Sequence, residues 1–204
     1  PTPAEPRGIY YYNGSKLAER PMVGAAALIY HELAPGHHFQ IALQHENGTL
    51  PSIRRESWTT AFGEGWAEYA SSLAEELGVL GDPYARYGRL LMEMFVTVRL
   101  VVDTGMNALG WTRERAIAYM REHTFESDLQ IDTETLRYGA DYYGQALAYK
   151  LGARAFRDLR LRAEREMGAR FSLPAFHAWV LGSGGMPLNV LEGHVACHIR
   201  ERHS

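Results

Sequence analysis

The 204-residue sequence holds a single cysteine, Cys197, so no internal disulfide braces it. One cysteine fits a reducing compartment and, with no signal-peptide pattern at Pro1, the expected setting is cytoplasmic. Long apolar runs are lacking too. Stretches such as Met22 to Tyr30 fall well short of the ~20 residues a bilayer span requires, so no membrane partner is expected. There is no surplus of positive charge: 21 Lys+Arg stand against 24 Asp+Glu, and no basic cluster could track a phosphate backbone, so nucleic acid is excluded as well. Alternating apolar and polar runs between Asn-Gly or Gly-Gly turns are missing, which removes hairpins and leaves an all-α fold. What remains, 46% apolar and 22% charged residues, is ordinary globular composition. Without repeats or low-complexity linkers, one domain is expected. A chain starting at Pro1 reads as a piece of a longer protein.

Residues 1–21 contain four of the nine prolines and the run Tyr10-Tyr11-Tyr12-Asn13-Gly14, which predicts an extended N-terminal segment. Residues 22–204 form the helical domain. A first helix is predicted from Met22 to about Asn47 and a second from Trp58 to Leu77. Asp82-Pro83 opens a long third one to about Gly105, with an acid at the cap and proline at the first helical position. Four more follow at Trp111–Thr124, Thr133–Gly168 (interrupted near Gly139 and Gly144), Leu173–Leu181 and Pro187–His203. The tryptophans Trp58, Trp66, Trp111 and Trp179 read most simply as core.

The chemistry concentrates in Tyr30-His31-Glu32-Leu33-Ala34-Pro35-Gly36-His37-His38-Phe39-Gln40. It begins like the His-Glu-x-x-His zinc helix, in which two histidines four apart share a face and the glutamate acts as base toward water. Here the fourth position is proline. On a straight helix His37 would lie ~120° around from His31, and His38 ~10.5 Å along the axis. Neither suits two zinc–nitrogen bonds of ~2.1 Å. Pro35 lacks the N–H that would bond the His31 carbonyl, and Gly36 tolerates unusual dihedrals, so the helix is predicted to bulge and return a histidine toward His31. A solvated helix end would explain the histidines, but not a Pro-Gly pair that costs ~3 kcal/mol inside a helix. A third ligand is sought in Gly63-Glu64-Gly65-Trp66-Ala67-Glu68-Tyr69. Glu64 and Glu68 share a face, as ligands or as a solvated acidic stripe with Glu75 and Glu76.

These segments, together with Arg99-Leu100-Val101-Val102-Asp103-Thr104-Gly105, Gly144-Gln145-Ala146-Leu147-Ala148-Tyr149-Lys150-Leu151-Gly152 and Phe176-His177 followed by Pro187-Leu188, resemble the bacterial family called domain of unknown function 885. The resemblance covers residues 8 to 195 and corresponds to the C-terminal half of longer members. It implies a mostly helical zincin-like fold of the thermostable carboxypeptidase type and a zinc-dependent hydrolase of peptide-like substrates. It also implies zinc on His31, His37 and Glu64, with Glu32 as base. Tyr149, Arg99 and Arg137 stand as candidates to polarise the scissile carbonyl or bind a substrate carboxylate, against structural pairing of the arginines with Asp103 or Asp141.

The sequence departs from the family pattern at Asn107 (usually histidine), Tyr143 (usually proline) and Ser71 (usually glutamate). An amide at 107 donates a hydrogen bond but carries no positive charge, so metal binding is safer here than activity. The alternatives are a non-catalytic helical domain that keeps a structural metal, or an inert half of a split or truncated enzyme. A partial chain is also expected to self-associate or to pair with a chain carrying the missing N-terminal half. His194, Cys197 and His198 at the last helix read as structural or solvated.

Overall fold

A computed structural model of the chain describes residues 7–14 and 22–201. The described residues form helices and no strand, in agreement with the all-α expectation. In order these are α1 (Ala25–Glu32), α2 (His37–Glu46), α3 (Ser52–Glu56), α4 (Thr60–Glu76), α5 (Pro83–Ala108), α6 (Arg113–His123), α7 (Asp128–Leu136), α8 (Leu147–Met167), α9 (Leu173–Gly182) and α10 (Leu188–Glu201). No helix among the described residues is long and apolar enough to cross a membrane. Residues 7–14 of the expected N-terminal segment are irregular and exposed; the rest of it, and His203, lie outside the described residues.

The sequence cues for α5 act as expected. The Asp82 carboxylate accepts the Ala85 N–H at 2.9 Å, and Pro83 takes the first turn, where a missing N–H costs nothing. Three boundaries differ. The predicted first helix is two helices, α3 went unanticipated, and α7 begins at Asp128 instead of Thr133 because the Ser127 hydroxyl caps it through the Gln130 N–H. The predicted interruption near Gly139 is a π-helical turn, Arg137–Asp141, followed by irregular backbone up to α8.

Helices α4 and α8 form the centre of the fold, and their approach is so close that side chains are excluded from it. A Cβ on Gly65 would stand 2.4 Å from the Gly152 Cα, and one on Gly152 2.2 Å from the Ala61 carbonyl oxygen. Around this crossing, Phe62, Trp66 and Tyr69 of α4 pack on Phe156 of α8, Phe176 of α9 and Leu191 and Val195 of α10. A second cluster joins Val98 and Val102 of α5 to Met120, Ile131 and Tyr138. Between the two clusters, the face of α4 bearing Glu64 and Glu68 turns toward α1 and α2.

Candidate metal centre

Pro35 ends the first helix by removing a backbone donor. The Leu33 N–H still bonds Ile29 at 2.9 Å, the Ala34–Pro35 peptide is cis, and α2 restarts at His37. Across the break the Phe39 N–H reaches back six residues to the Leu33 carbonyl at 3.2 Å, where a regular helix reaches four. Gly36 is pressed into this bulge so tightly that a Cβ would lie 1.8 Å from the His31 carbonyl oxygen. The Trp66 indole N–H donates to the Pro35 carbonyl at 2.9 Å and ties the bulge to α4. Trp66 is thus core, as expected, and also the peg of the break. The result is that the His31 and His37 rings stand edge-on, 4.8 Å apart.

Glu64 completes the cluster. Its Oε2 lies 3.6 Å from His31 Nε2 and 3.2 Å from His37 Nε2, and one ligand atom from each residue falls within 4.8 Å of the others. Four ligands at ~2.1 Å around a tetrahedral ion stand about 3.4 Å apart; the two carboxylate–imidazole spacings are close to this, the whole set spans up to 4.8 Å, and imidazole with carboxylate is a donor chemistry that suits zinc. His38 turns elsewhere: its ring lies against Gly8, where a Cβ would fall 2.7 Å from Cε1. Glu68 stands 3.0 Å from His31 Nδ1 and is only 4% exposed. It holds the orientation of the ring from behind, the position a carboxylate takes behind metal-binding histidines. Burial by itself would pull the His31 pKa down, but Glu64 and Glu68 hold it up at about 9. Burial would raise Glu64, yet the bonds to His31 and His37 bring it to about 2. A cation entering the cluster must therefore displace a proton.

Behind the cluster lies a chain of polar contacts. Gln145 Nε2 donates to Glu64 Oε1 at 3.3 Å and to the Tyr149 hydroxyl at 3.2 Å, while its carbonyl accepts Arg137 Nη2 at 3.0 Å. The Tyr149 ring stacks on His31, 6.1 Å between centroids. Arg99 is 5% exposed and reaches the cluster only through Tyr149, over whose ring its guanidinium sits at 4.6 Å. Its partners are Glu134 Oε2 at 3.1 Å and the Tyr138 hydroxyl at 2.9 Å, and not Asp103 or Asp141. Glu32 ends α1 beside His31, partly buried, with no hydrogen bond or ion pair among the described residues.

The departures from the family pattern have structural tasks. Asn107 donates to Asp103 Oδ1 at 2.8 Å and the Tyr138 carbonyl at 3.1 Å, joining α5 to the π-helical turn. Asp103 in turn accepts the N–H groups of Gly144 and Ala146 and so holds the backbone on either side of Gln145. Ser71 donates to the Ala27 carbonyl and joins α4 to α1. Tyr143 is exposed and lines a cavity of about 490 Å³ with Thr60, Ala61, Tyr142 and Gln145.

Two further residues carry roles the sequence reading did not assign. His177 stands 2.9 Å from the Tyr69 hydroxyl; burial, with nearby Arg160, holds its pKa down at about 4. It is neutral at pH 7, and Tyr69, pushed up to about 12 chiefly by burial, remains a phenol, so the two share a hydrogen bond between neutral groups. Trp58, expected in the core, is 50% exposed and stands 5.7 Å from the His37 ring. At the last helix, His194 lies 3.0 Å from the Trp179 carbonyl and His198 stacks on the Trp179 ring, so both are engaged structurally.

A family profile described as "Bacterial protein of unknown function (DUF885)" matches residues 1–195. Among solved structures, the putative lipoprotein from Colwellia psychrerythraea is 43% identical with a TM-score of 0.90, over 93% of this chain and 32% of that one. A putative lipoprotein of unknown function from Shewanella oneidensis is 25% identical with a TM-score of 0.77, over 95% of this chain and 37% of that one. The chain therefore spans about a third of the length of these two neighbours, less than the half expected from the sequence. Comparison with curated proteins returns no match.

Proposed function

The chain belongs to the bacterial DUF885 family, and from the geometry of its site we propose that it is the metal-bearing part of a zinc-dependent hydrolase, zincin-like and acting on peptide-type bonds. The observation that carries the reading is the convergence of His31 Nε2, His37 Nε2 and Glu64 Oε2 across a helix break, with Glu68 behind His31. Three such ligands are the number a catalytic zinc site uses, and a divalent ion there would polarise a carbonyl and acidify water at neutral pH.

The chain's own groups supply the rest. Glu32, next to His31 and free of ion pairs among the described residues, takes the proton of the attacking water on its carboxylate and returns it to the leaving amine. Gln145 occupies Glu64 Oε1 and leaves Oε2 facing the histidines. The Tyr149 hydroxyl accepts from Gln145, so its proton is available to the oxygen of a bound carbonyl. Arg99 holds Tyr149 by its face and acts through it. An open depression adjoins the cluster through Gln145 and would take a part of the peptide away from the bond attacked. Both solved neighbours are described as lipoproteins, and on that ground we place the protein outside the cytoplasm, in place of the cytoplasmic setting expected from cysteine usage.

The test compares the zinc-loaded chain with Glu32→Gln on a mixed peptide library read by mass spectrometry. Cleavage by the parent chain and none by the variant, at equal metal content, supports the proposal. Cleavage by neither, or equally by both, contradicts it.

A further inference from the structure

A half-exposed tryptophan is unremarkable on a mobile surface loop, but Trp58 is built in. It sits between α3 and α4, and the backbone before it is clamped by one buried side chain. Gln44 Nε2 donates to the carbonyls of Arg54, Arg55 and Ser57 at 2.8, 3.1 and 2.9 Å. The Gln44 carbonyl oxygen is itself fixed, accepting Gln40 Nε2 and the Gly185 N–H, each at 2.9 Å. The indole then lies flat on a seat that exists because position 63 has no side chain. A Cβ there would meet Trp58 Cη2 at 2.2 Å. One edge of the ring lies against the His37 ring, 5.7 Å between centroids and tilted 55°. Thr60 and Ala61, just beyond it, line the cavity next to Gln145. A large apolar surface is thus held rigid and half in solvent beside a ligand of the metal cluster, a position the core does not need.

We propose that Trp58 is the specificity-determining wall of the site, receiving a flat apolar group, above all an aromatic side chain, of whatever ligand the metal cluster holds. The inference rests on the metal reading and names its substrate class: peptides with an aromatic residue at the bond attacked. Clamping by Gln44 and seating on Gly63 mean that little side-chain freedom is lost on binding, so the contact is expressed almost in full. An aromatic pair in such a place raises affinity by roughly tenfold over a methyl group.

The test uses two small metal-directed probes, acetohydroxamate and phenylacetohydroxamate, titrated calorimetrically into the zinc-loaded chain, so turnover is not needed. The parent chain is expected to bind the aromatic probe about tenfold more tightly. Trp58→Ala should bring the two affinities together by weakening the aromatic probe alone, and Trp58→Phe should keep most of the preference. Metal content is measured for every variant. Equal affinities in the parent chain, or a Trp58→Ala variant that loses both probes equally, overturn the proposal and leave Trp58 a structural shield of His37. Failure of the metal reading looks different, because acetohydroxamate itself would then not bind.

Discussion

Replacing Gly36 by alanine sets one methyl group against the whole proposed metal cluster. The added Cβ would stand 1.8 Å from the His31 carbonyl oxygen, and the nearest ordinary contact is 3.4 Å. The end of α1 and the start of α2 must therefore separate by about 1.6 Å, with the proposed ligands His31 and His37 on opposite sides of the opening. A metal site tolerates roughly 0.2 Å in its bond lengths, so the opening is several times larger than the ions can follow. Loss of an outer carboxylate alone weakens metal affinity by about 10- to 100-fold, and a displaced ligand should cost at least the upper figure, about 100-fold. The folded chain should also lose about 1–3 kcal/mol from forced overpacking. Zinc affinity measured by competition with a chromophoric chelator, beside thermal melting of the metal-free protein, reads both effects. Gly48→Ala is the control, because a Cβ there meets nothing within 4 Å. A Gly36→Ala protein that binds zinc within about threefold of the parent would refute the reasoning that the bulge assembles the site.

Other perturbations address separate parts of the structure. Glu68→Gln should keep the fold but weaken zinc by roughly 10- to 100-fold, since His31 loses the carboxylate that orients it; unchanged affinity in the same competition assay would remove Glu68 from the site. His177 has a folded pKa near 4 against an ordinary 6.5, so between these values the unfolded chain binds the extra proton and stability falls as pH drops through that window. Discounted for partial exposure, the loss is about 1–2 kcal/mol, and urea titrations at pH 7 and pH 4 should show it in the parent chain but not in His177→Gln. Leu28, Ile29, Phe39 and Leu43 leave an apolar stripe on α1 and α2 at least a third exposed. Light scattering should accordingly find the chain self-associating, or binding a protein that carries the remainder of its longer relatives; a monodisperse monomer that binds neither counts against this.

The helix break was legible because Pro35 and Gly36 each have one backbone consequence that no context removes: a missing donor and a missing Cβ. The return of a histidine toward His31 follows from those two residues, whereas its being His37 and not His38 is what the family resemblance implies; the long helix α5 follows from Asp82 and Pro83. Partners from distant helices were not legible. Asp103 and Asp141 are the acids the sequence offers Arg99, which instead pairs with Glu134 and Tyr138, because the packing of α7 and the π-helical turn on α5 is a tertiary contact that no local spacing encodes. Glu64 and Glu68 were read together as one acidic face; i,i+4 spacing places both side chains but does not say which meets Nε2 and which Nδ1 of the same ring. Trp58 reads wrongly as core and His177 carries no assigned role for a related reason. An aromatic residue signals burial in a pattern, and only the seat on Gly63 or the hydrogen bond to Tyr69 tells what it does there.

The most direct measurement is the metal content of the chain purified without a histidine tag, beside Glu64→Gln prepared in the same way. With His31, His37 and Glu64 as the ligands, elemental analysis should find about one equivalent of zinc in the parent chain, and far less in the variant after dialysis against a mild chelator. Less than about a tenth of an equivalent in the parent chain after attempted reloading, or equal retention in both proteins, would contradict the account.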